Sequence, residues 1–526
     1  MLPADFAVFL LCLPLAAAGA AWVGERTGVP YPVLLVATGA LLSLSPWVRT
    51  PELSPKVVFF VFLPPLIYYA ANFIAPEDLR ANAWPIGLLA VGLVLVSMAA
   101  VAGVTVGIAG VPLAVAAVAG AVVAPTDPVA ATSLFQRLSA PQRLVTIVEG
   151  EGLINDGTAL VLYVGAVDVA VSGTLRPGEV VVTLLTAPVG GVVLGLAIAW
   201  VLVWVRRRID QPLVQIILSL ATPYLTYVLA QAAGLSGILA TVAAGVYVGS
   251  RRWSIYAPAA RLQAFAFLEV LVFLLNAVLF TLVGMQLVRV VHQVPGMPTG
   301  RAVAVIAAVV AVVVGSRMVW MLLGPVAARL RGHTEQSGAW REGVVVGWAG
   351  VRGGVSLAAA MAVPLQLADG SPFPHRDLVI VAAAAVIVVT LMVQGMSLPW
   401  LLRRLGIARE DTREQEQLAR LQAVRAALAA LDDYATAKGA DDGAIELLRA
   451  RYTARAGRLE VADEDRPSGP SGFFDDSQRY RALRLELLDV ERSAVLGLWQ
   501  QGRISAAVYR VIERGLDLEE ARIRGS

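Results

Sequence analysis

Cysteine, histidine and charged side chains are scarce in this chain of 526 residues. It has one cysteine, Cys12, and three histidines, and only 15% of its residues are charged. A disulfide framework needs at least two cysteines, while zinc sites and histidine-activated nucleophiles need several such side chains close together. The sequence therefore argues against a disulfide-rich protein, a zinc enzyme and an intramembrane protease or acyltransferase, and it predicts no cofactor.

Long apolar segments are abundant instead. Hydrophobic residues make up 57% of the chain, and uncharged apolar runs recur up to about residue 404. Because about 20 apolar residues cross the hydrocarbon core of a bilayer, we predict an all-α polytopic membrane protein with thirteen transmembrane spans. The predicted spans are 6–24, 30–46, 55–73, 84–109, 112–135, 142–167, 179–205, 211–231, 235–250, 262–288, 300–324, 340–365 and 377–402.

Basic residues outside the spans are distributed unevenly between the two sides of the predicted membrane. If the N-terminus lies outside, fifteen arginines fall on the cytoplasmic side, against six basic residues on the other side. Lysine and arginine accumulate in the cytoplasmic loops of membrane proteins. We therefore predict a multi-pass protein of the cytoplasmic membrane with an external N-terminus and a cytoplasmic C-terminus. The basic excess indicates topology and no nucleic-acid partner.

The composition becomes soluble and helical after Arg404. The stretch "EDTREQEQLARLQAVRAALAALDDY" places Leu418, Leu421, Leu428 and Leu431 at helical spacing, and "DEDRPSGPSGFFDD" is typical of a linker before two further amphipathic helices. We predict a transmembrane domain over 1–404 and a helical cytoplasmic tail over 405–526. A role in assembly or stability and a role in regulation both stay open for this tail.

A few ionisable side chains fall inside the predicted spans. A charge deep in a bilayer costs ~3 kcal/mol or more, so each one needs a partner or a water-filled cavity and is a hypothesis for a functional site. These residues are Asp127, Glu149, Glu151, Asp156, Glu269, Arg317 and Arg352.

Two spans carry residues that interrupt a helix at mid-membrane. In "VVAPTDPVAATS", Pro125 and Pro128 flank Thr126 and Asp127, and in "GWAGVRGGVSLAAA" glycines surround Arg352. Irregular backbone is tolerated at that depth only where it is buried or lines a cavity. Two breaks in spans 5 and 12 predict inverted repeats, spans 1–6 and 8–13, with a transport site at the breaks.

The carboxylates of span 6 fall on different faces of one helix. Glu149 and Asp156 share a face, whereas Glu151 and Asn155 form a neighbouring ridge. Glu151 and Asp156 are about 140° apart and are expected to have different tasks. We predict that Glu151 forms a buried ion pair with Arg317 while Asp156 lines the site. Glu149 is assigned to the path by which ions reach it.

Several motifs together resemble the sodium/proton exchanger family of monovalent cation/proton antiporters, in its bacterial branch. They are "FLPPLIY" (62–68), "PTDP" (125–128), "EGEGLINDG" (149–157), "NAVLFTLVGMQL" (276–287) and "AGVRGGVSLAAA" (349–360). The resemblance covers nearly all of 6–404. It implies a homodimer in which spans 1–3 and 7–10 form a scaffold and spans 4–6 and 11–13 a moving core, with spans 5 and 12 crossing at their breaks.

The resemblance also implies roles for individual residues. Asp156 becomes the carboxylate that binds Na+ and exchanges a proton, and Thr126 and Asp127 contribute to the ion site. Asn155 is its neutral neighbour, and Arg352 balances the helix ends at the crossing. The relation of Glu151 to Arg317 is the structural ion pair already expected from the helix geometry.

The expected function is secondary active exchange of Na+ for H+ by alternating access, with roles in pH and sodium homeostasis. One titratable site carboxylate beside the neutral Asn155 predicts electroneutral 1:1 exchange, with a monovalent cation and a proton as substrates and lipid as the surroundings. Relatives can carry side-chain oxygens where this chain has Tyr69 and Gly152. A K+/H+ antiporter of the same fold therefore stays open, as does a cation channel.

Overall fold

The computed structural model describes residues 4–44, 55–74, 76–128, 131, 132, 135, 140–174, 177–209, 211–255, 258–292, 298–330, 339–407, 412–438, 443–460 and 478–525. Most of these residues are helical, and among them the β contact is one isolated bridge between Gln366 and Pro372. The predicted all-α fold class is therefore confirmed for the described part of the chain.

Long apolar helices joined by short connections make up the first 405 residues. In chain order they are α1 (Ala4–Thr27), α2 (Tyr31–Ser43), α3 (Pro55–Ala71), α4 (Ala83–Ala109), α5 (Leu113–Val123), α6 (Gln142–Ser172), α7 (Pro177–Arg206), α8 (Pro212–Ala232), α9 (Gly237–Ile255), α10 (Pro258–His292), α11 (Thr299–Leu330), α12 (Ala339–Trp348), α13 (Gly354–Met361) and α14 (Arg376–Leu405). A short helix, Pro76–Ala81, precedes α4.

Seven of the described helices are long and apolar enough to cross a membrane, and α2, α3 and α5 provide shorter apolar segments. This is a multi-pass membrane protein, as the hydropathy predicted. Several predicted boundaries lie within a residue of the observed ones, such as 84–109 against Ala83–Ala109 and 211–231 against Pro212–Ala232. Thirteen crossings and the inverted repeats stay predictions.

Both predicted helix interruptions are present. Helix α5 ends at Val123, residues 124–127 are not helical, and helical structure resumes at Pro128. Helix α12 ends at Trp348, and five residues separate it from the first residue of α13. Prolines without an amide hydrogen cause the first break, and glycines with a permissive backbone cause the second. Each break leaves main-chain polar groups without helical partners inside the transmembrane unit.

Glycines bring pairs of helices into backbone contact. A methyl group on Gly284 of α10 would lie 2.8 Å from the amide nitrogen of Ala40 in α2, and one on Gly120 of α5 would lie 3.0 Å from Cα of Met98 in α4. Small residues at such crossings are typical of helix packing in membranes, where close van der Waals contact replaces the hydrophobic effect.

The chain divides into two compact units, and the second combines the C-terminal region with Asp210–Ile216 and Trp253–Phe265. Its C-terminal helices are α15 (Thr412–Lys438), α16 (Gly443–Glu460), α17 (Gln478–Gln500) and α18 (Ala506–Gly525). They enclose an apolar core of their own that includes Leu448 and Leu487. The predicted linker at 463–476 lies outside the described residues, and the domain boundary at 404 stays a prediction.

The apolar face of α15 differs in one position from the predicted one. Leu421, Leu428 and Leu431 contribute to the core of the C-terminal helices, but Leu418 is exposed. Val424 is fully buried in its place. At about 100° per residue, Leu418 points roughly 100° away from the centre of the face that the other four define. Its helical spacing to Leu421 was therefore misleading.

The close contact between α2 and α10 predicts a selective effect of one added methyl group. Gly284→Ala should lower the free energy of unfolding by about 1–3 kcal/mol, because the α2 backbone must move away. Gly315→Ala on α11 is the control, since its methyl group meets no atom within 4 Å. Fluorescence-detected size exclusion after heating in detergent measures both. Equal melting temperatures for the two variants would contradict the expected close contact.

Candidate functional site

A buried ion pair joins α6 to α11. Glu151 and Arg317 are each 1% exposed, and Arg317 Nη2 donates to Glu151 Oε2 at 2.7 Å while its Nη1 donates to Oε1. The guanidinium also donates to the main-chain oxygens of Val346 at 2.9 Å and Gly347 at 3.1 Å, at the end of α12. These bonds use most donors of the arginine, so the pair meets the requirement that buried charges be both paired and hydrogen-bonded.

A chain of hydrogen bonds extends from this pair into the first helix interruption. The Thr126 hydroxyl donates to Glu151 Oε1 at 3.1 Å, and Asn155 Nδ2 donates to Thr126 Oγ1 at 2.8 Å. The hydroxyl hydrogen is used on the carboxylate, so Thr126 can only accept from Asn155. This fixes the orientation of the Asn155 amide. Its Oδ1 is buried and accepts no hydrogen bond from the protein.

Asp156 follows Asn155 on α6 and is 7% exposed. Its carboxyl group lies within electrostatic range of Asp127 in the first interruption. Glycines allow α6 to approach the surrounding chain here, because a Cβ on Gly152 would lie 2.5 Å from Cδ of Pro128 and one on Gly157 would lie 2.7 Å from Cγ of Leu239. The position where relatives can carry a side-chain oxygen is therefore filled by Pro128.

Arg352 lies at the C-terminal end of α5. Its Nε donates to the Val123 oxygen at 3.1 Å, its Nη2 donates to the Ala124 oxygen at 3.3 Å, and its Nη1 donates to the Gly350 oxygen. The last carbonyls of a helix have no helical donors and carry the negative end of its dipole. Arg352, in the second interruption, thus donates hydrogen bonds to main-chain carbonyls that the first interruption leaves without helical partners.

Asp127 has the reciprocal position. Its amide donates to the Val351 oxygen at 2.7 Å, and its carboxylate lies against Gly353, immediately before α13. A carboxylate is favourable at a helix N-terminus, where free amides and the positive end of the dipole are found. A side chain at Gly353 would occupy the place of this carboxylate. The two interrupted segments therefore cross, with each one supplying a charge to the other.

The two remaining candidates are less buried than Asp156 and Arg352. Glu149 is half-buried on α6, two turns before Asp156, and Glu269 is exposed on the surface of α10. Among the described residues, no group of three or more His, Cys, Asp or Glu side chains comes together as in a metal centre. The described polar groups at the site are carboxylates, guanidinium groups, hydroxyls, one amide and main-chain groups.

Sequence reasoning missed one polar residue at the crossing. Thr390 on α14 accepts a hydrogen bond from the amide of Arg352 at 3.1 Å, and its own hydroxyl donates to the Val386 oxygen at 2.8 Å. A single threonine in an apolar span is usually satisfied by its own helix, so the sequence carried no signal for a contact with residue 352.

Comparison with known proteins identifies the family. The profile of the family described as "Sodium/hydrogen exchanger, transmembrane" matches residues 14–404. An uncharacterised Na(+)/H(+) exchanger of Mycobacterium tuberculosis is 35% identical over 99% of this chain and 97% of its own length. A "Sodium, potassium, lithium and rubidium/H(+) antiporter" of Bacillus pumilus is 31% identical over 71% of this chain and 58% of its own.

A solved structure has the same fold. The sodium proton antiporter MjNhaP1 of Methanocaldococcus jannaschii matches 76% of this chain and all of its own length with a TM-score of 0.61, at 17% sequence identity. With the profile match over most of the chain, these findings confirm the predicted resemblance. The chain belongs to the sodium/hydrogen exchanger family of membrane antiporters.

Proposed function

We propose that this protein exchanges Na+ for H+ across the membrane and that Asp156 binds either ion, one at a time. Family membership supports cation/proton antiport. The observation that carries the assignment to Asp156 is its place: it is a buried carboxylate next in sequence to Asn155, whose side-chain oxygen accepts no hydrogen bond, on the helix that packs against the first interruption. Interrupted helices are where transporters of inverted-repeat type hold their ions.

The proposed cation site uses hard oxygen ligands, which suit alkali-metal ions. Asp156 supplies the charge, and Asn155 supplies Oδ1, which the hydrogen bond to Thr126 turns away from the ion pair. The Thr126 hydroxyl is engaged with Glu151 and Asn155, so this residue contributes its main-chain oxygen at the break. Asp127 acts on the site through its charge.

Competition between the two substrates produces the coupling. A protonated Asp156 has no charge to hold Na+, and Na+ bound to the Asp156 carboxylate opposes its protonation, because both cations compete for one negative charge. The site changes access to the other side of the membrane either with Na+ bound or with a proton bound. Movement of Na+ in one direction therefore requires return of a proton in the other. Exchange should therefore stop as falling cytoplasmic pH keeps the carboxylate protonated.

The remaining parts of the proposal concern the setting of the exchange. The protein acts as a homodimer in the cytoplasmic membrane, with its N-terminus outside and residues 405–526 in the cytoplasm, and serves pH and sodium homeostasis. Spans 1–3 and 7–10 form the scaffold. Glu151 and Arg317 hold α6 to α11, Arg352 balances the helix ends, and Glu149 lies on the path by which ions reach the site.

K+ is the second candidate cation. One observation favours it: the Bacillus pumilus relative is named for exchange of sodium, potassium, lithium and rubidium. Gly152 adds no oxygen to the shell, and Pro128 fills the space beside it. A panel of Na+, Li+ and K+ salts added to everted membrane vesicles, with a fluorescent indicator of the pH gradient, ranks the cations directly.

Replacing the proposed ion-binding carboxylate should abolish exchange. Asp156→Asn removes both the charge that attracts Na+ and the group that takes the proton, so Na+-dependent proton movement in everted vesicles should fall at least about tenfold. Asp168→Asn is the control, because Asp168 is an exposed carboxylate on the same helix. It should keep the wild-type rate. Normal exchange by folded Asp156→Asn would refute the assignment.

The proposed 1:1 exchange predicts no net movement of charge. In proteoliposomes, the rate of Na+-driven proton movement should be unchanged when a potassium diffusion potential of either sign is imposed, since one positive charge crosses in each direction. The experiment uses valinomycin to set the potential and an internal pH indicator to follow protons. A rate that changes with the sign of the potential would show electrogenic exchange and a different stoichiometry.

The Glu151–Arg317 pair predicts strong coupling between two substitutions. Glu151→Gln or Arg317→Gln alone should lower stability by about 3–5 kcal/mol, because each leaves an unpaired buried charge. The double variant should be less harmful than either single one. Thermal unfolding in detergent measures the cycle. The exposed pair Arg143–Glu342 is the control, and its removal should cost at most about 1 kcal/mol. Additive losses at 151 and 317 would contradict the pairing.

A further inference from the structure

An ionic contact holds α18 to the first turn of α10. Arg261 is 2% exposed, and its Nε donates to Oδ2 of Asp517 at 2.8 Å while its Nη2 donates to Oδ1. Glu513, one turn earlier on α18, has Oε1 at 3.8 Å from Arg261 Nε. A buried bidentate pair fixes geometry as well as charge. Helix α18 cannot move from the start of α10 without taking both carboxylates away from the buried guanidinium of Arg261.

The Asp517 carboxylate also binds an arginine from the C-terminal helices. Arg492 on α17 donates from Nη2 to Asp517 Oδ1 at 3.1 Å and to Glu520 Oε2 at 2.6 Å. One carboxylate is thus shared by arginines from α10 and α17. The contact of α10 is therefore with the packed pair of helices α17 and α18, and not with a single side chain at a free end.

A second ionic cluster lies entirely within the C-terminal helices. Arg484 on α17 donates to Glu491 Oε1 at 3.1 Å, and also to Glu519 on α18 and to the hydroxyl of Tyr452 on α16. All of these residues belong to the C-terminal helices. This cluster holds those helices to one another, whereas the Arg261–Asp517 pair holds them to α10.

Helix α10 itself continues into the transmembrane unit. It runs without interruption from Pro258 to His292. Its Phe280 packs in the same buried cluster as Val351 of the second interruption, and its Leu279 lies against Gly354, the first residue of α13. The helix that Asp517 contacts at its start therefore also packs against the second interrupted segment of the crossing.

We propose that Arg261 is a positioning residue for ion exchange, and that docking of α17 and α18 on it fixes α10 as the wall against which the interrupted helices move. The inference rests on the proposed function, since exchange is its readout. Arg261 belongs to the second unit and not to the ion site, so the contact governs the rate of the conformational cycle and not the affinity for Na+. The C-terminal helices then contribute to the rate of ion exchange.

Asp517→Asn in the full-length protein tests this. In proteoliposomes, the maximal rate of Na+-driven proton flux should fall about threefold or more, while the half-saturating Na+ concentration changes by less than about twofold. Glu519→Gln, which removes a pair inside the C-terminal helices, should keep the wild-type rate. Hydrogen–deuterium exchange should increase in the first turns of α10 for Asp517→Asn and stay unchanged there for Glu519→Gln.

Arg261→Lys replaces Asp517→Asn if the latter does not fold, because lysine keeps the charge but loses the bidentate geometry. The same rate loss and the same increase in hydrogen exchange are expected. Equal rates for the Arg261 or Asp517 variant and Glu519→Gln would overturn the proposal, as would a change in half-saturating Na+ at unchanged maximal rate. Failure of the proposed function is a distinct result, because the wild-type protein would then show no Na+-driven proton flux.

Discussion

The buried pair of Glu151 and Arg317 is the interaction on which the rest of the site depends. A charged carboxylate at this depth is stable only with a charged, hydrogen-bonded partner. Because Glu151 Oε1 accepts the Thr126 hydroxyl hydrogen, Thr126 must accept from the Asn155 amide. The unbonded Asn155 oxygen is left on the residue next to Asp156. An ion pair with no contact to the proposed cation thereby determines which atoms are offered to it.

Each helix interruption supplies a charged side chain to a helix end that the other interruption creates. A helix that ends inside a membrane exposes carbonyls or amides that no water can bind. Arg352 binds the free carbonyls of Val123 and Ala124, while Asp127 lies at the start of α13. Separating the segments would expose a charge and a helix end on both sides at once. The crossing is therefore expected to move as a unit during transport, with the change in access arising between it and its neighbours.

Much of this arrangement was accessible from the sequence, because prolines, glycines and intramembrane charges act locally. The breaks followed from residue types, and the pairing of Glu151 with Arg317 agrees with the face of α6 that the helical angles gave to Glu151, while the role of Asp156 stays a prediction. The end of α6 did not: it runs five residues beyond the predicted 167 to Ser172, and Gly173 with φ 69° ends it. The resemblance placed Arg352 at the helix ends, but the Val123 and Ala124 oxygens that it binds lie more than 220 residues away and carry no signature in the sequence. The orientation of the Asn155 amide could be assigned only from the hydrogen bonds that link it through Thr126 to Glu151.

The contact between Gly152 and Pro128 bears on how the proposed site selects a cation. A larger side chain at Gly152 would displace Pro128 and with it the break that holds Thr126. Under the proposed function, the shell is then expected to come from Asp156, the Asn155 oxygen and main-chain oxygens. Main-chain positions are set by the path of the chain and not by side-chain rotamers, so the spacing of the ligands depends on the shape of the break. That shape is held by the bond from Thr126 to Glu151. In the proposed site, cation preference is therefore expected to depend on the same buried network that includes the ion pair between α6 and α11.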